Sequence, residues 1–148
     1  MSTFARNLKD YTHVVTRALP TADGTVTCSD IDLGTNPYDF FTENTELEIS
    51  LPALTSTHLP SADTLTITVQ SGDSATPTTT TNLVKVVTGT GSTIAAQVIR
   101  FRLPASIDRY VNVKFVAAGG TGDISGQTAT ISLRYSAFWL RSHRGRVA

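Results

Sequence analysis

This sequence has little of the material from which many functional sites are built. Cys28 is the only cysteine among 148 residues, so an intrachain disulfide and any cysteine-rich metal site are excluded. A lone cysteine is also consistent with assembly in a reducing cytoplasm. No run approaches the roughly 20 apolar residues that cross a membrane, and Arg6, Lys9 and Asp10 interrupt the N-terminus before a secretory signal could form. We therefore expect a soluble protein that has no membrane partner.

Charged residues are scarce as well, and they are unevenly distributed. They form 16% of the chain, against roughly 25% in a typical domain. Residues 1–75 carry ten acids and three bases, whereas residues 76–148 carry two acids and nine bases, so the two halves have net charges of −7 and +7. Acidic and basic strands could pair within one fold, or opposite poles could meet between neighbouring subunits. The sequence leaves both interpretations open.

Threonine is abundant where charged residues are few. The chain has 25 Thr and 13 Ser residues, and 40% of its residues are hydrophobic. That hydrophobic content suffices for one modest core, which predicts a single domain. Threonine is β-branched and suits a half-buried pleated surface. The composition therefore favours strands over helices.

From Thr25 onward, apolar residues recur at every second position, which is the period of a half-buried strand. The alternation is clearest in residues 46–51, 64–70, 110–116 and 128–135, and it is weaker in 83–88 and 94–103. It changes phase between Cys28 and Ile31, which predicts a β-bulge near Ser29 and Asp30. Glycine and proline separate the segments. About eight short strands are typical of a sandwich, a barrel or a jelly roll.

The N-terminal residues depart from this pattern. Phe4, Leu8, Tyr11 and Val15 have the spacing of one side of a helix, and Pro20 together with the turn that follows ends the segment. Residues 1–23 are predicted to be an N-terminal arm. The arm could lie extended on its own domain or reach a neighbour.

A basic tail, residues 137–148, follows the predicted domain of residues 24–136. Phe138 and Trp139 precede Arg141, and two further arginines follow. Such a tail could be a solvated terminus, dock on an acidic protein surface, or hold phosphates and stack on bases. Because the cluster is short and the whole chain is neutral, we do not expect a nucleic-acid partner.

The residues that usually carry chemistry do not form a recognisable set. The histidines are far apart in the sequence: His13, His58 and His143. Cys28 lacks the histidine that a nucleophile needs and is interpreted as a small core residue. Asp30 and Asp32 could share a cation, but calcium requires more oxygen ligands. Two glycine-rich stretches, 89–92 and 119–123, lack the lysine and the following helix of a phosphate loop. We expect no enzyme activity, no catalytic residues, no metal and no cofactor.

Several stretches, in their order and spacing, resemble the jelly-roll capsid cement (decoration) proteins of tailed bacteriophages. They are residues 31–34 (IDLG), 65–71 (LTITVQS), and 100–113, where RFRLP precedes RYVNV. The glycine-rich stretch 119–123 is similar too. The resemblance covers roughly residues 24–135.

This resemblance implies a jelly-roll β-sandwich of about eight strands. It also implies self-association as a homodimer or homotrimer, and attachment to the major capsid protein. The subunit would then lie on the outer capsid surface of the virion, after assembly in the host cytoplasm. The family has no active site, so the resemblance transfers no catalytic residues. The N-terminal arm and the C-terminal tail are additions to the family pattern.

Residues outside the predicted strands are the candidate capsid or subunit contacts, because buried aromatic side chains and arginines are the usual anchors of interfaces. The predicted contacts are Phe4, Leu8, Tyr11, Phe138, Trp139 and Arg141. The alternative function is a carbohydrate- or receptor-binding jelly-roll module on the virion. Such a module would present solvent-facing tryptophan or tyrosine in a loop-built groove, and Trp139 is the only tryptophan of the chain.

Overall fold

The computed structural model describes residues 8–34, 45–75, 80–104 and 106–135, and every helix or strand in these ranges is a β-strand. The strands are β1 (Leu8–Ala18), β2 (Thr25–Thr27), β3 (Ile31–Asp32), β4 (Thr45–Leu51), β5 (Thr64–Gly72), β6 (Thr80–Thr88), β7 (Gln97–Arg102), β8 (Tyr110–Ala118) and β9 (Thr128–Tyr135). The predicted all-β class is confirmed. The described part of the chain contains no helix that could span a membrane.

The strands form two antiparallel sheets. One sheet has four strands in the order β1-β9-β4-β7, and the other has the order β2-β8-β5-β6 with β3 also paired to β8. Except for the β5–β6 hairpin and the short step from β2 to β3, each strand is followed by a strand of the other sheet. If β2 and β3 count as one bulged strand, this is the eight-stranded jelly roll. The predicted jelly-roll β-sandwich is therefore correct.

The core lies between the two sheets and is built by the predicted alternation. The inward residues of β5 and β8 are fully buried: Leu65, Ile67, Val69, Val111, Val113 and Phe115. They belong to one cluster with the inward residues of β4 and β9 in the opposite sheet: Leu47, Ile49, Leu51, Ala129, Ile131 and Leu133. Each strand thus gives one face to the core and leaves its other face available for solvent or a partner.

The predicted bulge is present on the edge of the five-stranded sheet. Thr27 pairs with Lys114 and Ile31 pairs with Val111, so three residues of one strand face two residues of the other. The Cys28 N–H donates to the Val113 carbonyl at 2.9 Å, just before the interruption. The extra residue lets both Cys28 and Ile31 face the core, where both are buried.

Residues 8–18, part of the predicted arm, form strand β1 instead of a helix. This strand pairs with β9 along the edge of the four-stranded sheet, from Leu8 opposite Tyr135 to Ala18 opposite Thr128. The helical interpretation of the spacing was therefore wrong for these residues. The register shifts between Lys9 and Val14, so a regular two-residue alternation is not visible in the sequence.

Candidate binding surfaces

The outward face of the four-stranded sheet is a ladder of opposite charges. Glu46 on β4 lies between Arg102 on β7 and Arg134 on β9, and Glu48 lies two residues further, opposite Arg100. Directly opposed charges on neighbouring strands stabilise an antiparallel pair. All the acids of this ladder come from the acidic half of the sequence and all its arginines from the basic half, so these charges pair within one chain.

Glu48 is the centre of this ladder. Its side chain is only 4% exposed, although it belongs to the outward face of β4. Arg100 donates its Nε–H to Glu48 Oε2 at 3.1 Å, and Arg134 Nε lies 2.6 Å from the same oxygen. The Arg100 side chain is 50% exposed and the Arg134 side chain 22%. The carboxylate is therefore less accessible than the two arginine side chains beside it, and Arg100 is the more accessible of the two, since the Arg134 Nε is itself buried and makes no hydrogen bond within the described chain.

The outward face of the other sheet has a different composition. Val84 and Val86 on the edge strand β6 are 56% and 49% exposed, and they pair with Thr68 and Thr66 on β5. Both cross-strand rows continue across the sheet. One runs from Thr68 to Lys114 on β8 and Thr27 on β2, and the other runs from Thr66 to Val116 on β8 and Thr25 on β2. This surface, which we call the Val/Thr face, is a β-branched array with a single lysine in those two rows.

Strand β6 leaves its outer edge unpaired within the described chain. Lys85 pairs with the core residue Ile67, so it follows the inward phase of β6, yet its side chain is exposed. An inward-phase lysine on an edge strand opposes pairing with a strand of another molecule. A partner of this region is therefore expected to bind the Val/Thr face rather than to extend the sheet.

A polar cluster lies at one end of the five-stranded sheet. Arg109 donates from Nε and Nη2 to the two carboxylate oxygens of Asp32, at 2.8 and 2.7 Å, and this bond raises the pKa of the guanidinium. The guanidinium also lies over the Tyr110 ring, 4.9 Å from its centroid. The Gly34 N–H donates to Asp32 as well. These contacts hold the end of β3 against the start of β8, and they join two residues that are 77 positions apart in the sequence.

Asp63 organises the opposite end of the sandwich. Its buried carboxylate accepts hydrogen bonds from Thr121 Oγ1 at 3.0 Å and from the Gly122 N–H at 3.1 Å. Gly119 is packed so closely that a Cβ there would lie 2.1 Å from Asp63 Oδ1, and its φ is +129°. The predicted glycine-rich turn is therefore held by a carboxylate. A depression beside it, which includes His58, has a volume of about 10 Å³, enough for about one water molecule.

The cysteine and the two aspartates that the sequence offers for chemistry are buried in the core or engaged in contacts with neighbouring side chains. Burial raises the pKa of the Cys28 thiol to about 12, although nearby Arg17 opposes the shift, so the thiol is protonated at neutral pH. Asp32 pairs with Arg109, and Asp30 accepts from Asn112 Nδ2 at 3.2 Å. Within the ranges that the structure describes, no group of three or more histidine, cysteine or acidic side chains could hold a metal ion.

Only two of the six predicted contact residues lie in the part of the chain that the structure describes. Leu8 and Tyr11 lie on β1, at the edge of the four-stranded sheet. The other four lie outside the described residues: Phe4, Phe138, Trp139 and Arg141. Their role in contacts stays a prediction. The arginine ladder and the Val/Thr face were not among the predicted sites, although the alternation of Arg100 and Arg102 with apolar residues already places these arginines outward.

Comparison with known proteins gives little further information. No protein-family model matches the chain, and no curated protein sequence matches it. A solved structure described as "CBM4 structure and function" is similar with a TM-score of 0.37 and 15% sequence identity, over 77% of this chain and 72% of the other. A TM-score this low supports no argument about fold or function.

Proposed function

We propose that this chain is a structural virion protein of a tailed bacteriophage. It binds the outer surface of the capsid and stabilises contacts between major capsid proteins, as a cement or decoration subunit. The motifs in residues 24–135 support this proposal through their resemblance to that family. The jelly-roll strand order is what the resemblance implies, but the same fold serves many functions.

The observation that carries the proposal is the Val/Thr face. Two valines of β6, each about half exposed, lie beside two threonines of β5 on the outward face of the sheet. Contiguous exposed apolar surface on a protein marks interaction sites. A cement subunit needs many modest contacts repeated by the symmetry of the shell, and multivalency makes such contacts sufficient. A β-branched face also loses little side-chain entropy when a partner covers it.

The experiment is to add the purified chain to expanded capsids of a phage that carries it, prepared without this protein. The expected result is saturable binding to the outside, and capsids that release their DNA at a higher temperature. The variant Val84→Lys/Val86→Lys should bind more weakly, because it places charge on the contact. The control Thr90→Lys/Thr93→Lys places the same two charges at exposed positions in the β6–β7 connection and should bind normally.

The predicted terminal contacts need truncations that respect the fold. Removing residues 1–20 would delete β1, so the informative truncations are residues 1–7 and residues 137–148, made separately. If Phe4 or the tail aromatics are anchors, one of these truncations will weaken capsid binding while the thermal unfolding midpoint is unchanged. Full binding by both would refute the contacts predicted for Phe4 and for the tail, and would leave β1 and the sheet faces as the binding surfaces.

The alternative is a carbohydrate- or receptor-binding module on the virion. A glycan array distinguishes the two, since a cement subunit should give no saturable glycan signal and should still bind capsids. Glycan binding without capsid binding would contradict the proposed function.

A further inference from the structure

The arginine ladder has more accessible positive charge than accessible negative charge. The guanidinium groups of Arg100 and Arg134 cover the Glu48 carboxylate, which is almost fully buried. Arg102 is exposed on the same face, opposite the half-buried Glu46. A partner that approaches this face therefore meets guanidinium groups first, and the acids that partly neutralise them lie below.

We infer that the outward face of the four-stranded sheet is a docking surface for an acidic protein surface, with Arg100, Arg102 and Arg134 as its contacts. The inference rests on the proposed function and specifies it further: this face contacts carboxylate side chains of a neighbouring virion protein. Arginine suits this role because its planar guanidinium matches a carboxylate with two parallel hydrogen bonds.

The shape and composition of the face favour a protein partner over a nucleic acid. The next row of the same face holds Val98, which is 58% exposed, opposite Ser50 on β4. A sheet surface that combines arginines with an exposed apolar side chain resembles the anchor composition of protein interfaces. Nucleic-acid binding draws on many phosphate contacts from lysine and arginine, whereas the acids of this ladder leave it only a small net positive charge.

The test uses two substitutions that break the same ion pair but change the net charge in opposite directions. Arg100→Gln removes a positive charge from the accessible layer, whereas Glu48→Gln removes the negative charge beneath it. Arg102→Gln is a second neutralising variant that leaves the Glu48 contacts in place. Lys85→Gln, on the edge strand of the other sheet and outside the Val/Thr face, is the matched control. The probes are poly-L-glutamate and, separately, a single-stranded DNA of equal charge number and vesicles that contain an anionic lipid.

If the inference is correct, the intact protein binds poly-L-glutamate in preference to the DNA and the vesicles. Arg100→Gln and Arg102→Gln each weaken the binding about threefold to fivefold, since an exposed charge contact is worth up to about 1 kcal/mol. Glu48→Gln strengthens it by a similar factor, and Lys85→Gln does not change it. The affinity falls steeply between about 0.05 M and about 0.5 M NaCl, because salt screens exposed charges.

Three results would overturn the inference: no binding of poly-L-glutamate, equal weakening by Arg100→Gln and Glu48→Gln, or a preference for the DNA or the vesicles. Thermal unfolding of each variant distinguishes weaker binding from loss of the folded structure. Arg102→Gln leaves the buried Glu48 carboxylate and its contacts unchanged. The same variants are then added to capsids. If all of them bind capsids as the intact protein does, the inference fails and the proposed function stands. If the intact protein itself does not bind capsids, the proposed function fails.

Discussion

Replacing Asp63 tests whether one buried carboxylate holds the glycine-rich end of the sandwich. Asp63 is 7% exposed, and its Oδ2 accepts from Thr121 Oγ1 at 3.0 Å, from the Gly122 N–H at 3.1 Å and, at a longer 3.4 Å, from the Thr121 N–H. A hydrogen bond to a charged group contributes about 1.5–3 kcal/mol. Because the bonds share one oxygen and water can partly replace the carboxylate, we expect Asp63→Ala to lower the free energy of unfolding by about 3–4 kcal/mol.

The assay is chemical denaturation at equilibrium, followed by far-ultraviolet circular dichroism. Asp63→Asn keeps one acceptor oxygen but loses the charge, so it should cost about half as much as Asp63→Ala. Thr121→Val removes one donor and should cost about 1 kcal/mol. In the double variant Asp63→Ala/Thr121→Val this cost should largely disappear, because the hydroxyl has lost its acceptor.

A loss below about 1 kcal/mol for Asp63→Ala would refute this reasoning. The same conclusion would follow if Thr121→Val were equally costly with and without Asp63. Asp123→Ala is the matched control, since Asp123 is an exposed aspartate of the same loop whose carboxylate accepts local bonds from the N–H and the side chain of Ser125. It should change the unfolding midpoint far less than Asp63→Ala.

Three further predictions concern Gly119, Cys28 and Lys85. Gly119→Ala should destabilise the fold by about 2–4 kcal/mol, whereas Gly126→Ala, with open space around its Cβ, should be tolerated in the same denaturation assay. Cys28 should resist alkylation by iodoacetamide in the folded protein. The free energy of unfolding should fall as the pH rises from 9.0 toward about 12, because in that range the thiol ionises only in the unfolded chain. The variant Cys28→Ala should lack this alkaline loss of stability. Lys85→Val should cause concentration-dependent association in light scattering by unblocking the β6 edge, whereas Lys85→Arg, which keeps the charge, should not.

The strands that could be predicted from the sequence are those whose alternation is uninterrupted. Leu65, Ile67 and Val69 alternate with threonines, and their burial follows directly from the two-residue period of a strand. The bulge was predictable for the same reason, because one extra residue shifts the phase of the alternation between Cys28 and Ile31. Strand β1 was not, since its own irregularity between Lys9 and Val14 hides the period and leaves a spacing that fits a helix.

The arginine ladder could be predicted only in part. The alternation places Arg100 and Arg102 outward on β7, but it does not say which strands lie beside them. Arg100 and Glu48 are 52 residues apart, and they meet because β4 pairs with β7 in one particular register. That register depends on the packing of the whole sandwich rather than on local sequence. The burial of Glu48 beneath two guanidinium groups is likewise a consequence of tertiary structure.

The most direct test of the proposed role is a cryo-electron microscopy map of a virion that carries this chain. We expect a two-sheet jelly roll on the outside of the capsid that bridges neighbouring major capsid proteins, with the arginine ladder against acidic side chains. The proposed role would be contradicted if density for this fold lay inside the shell or at a tail fibre tip bound to a glycan, or if the particle showed no such density.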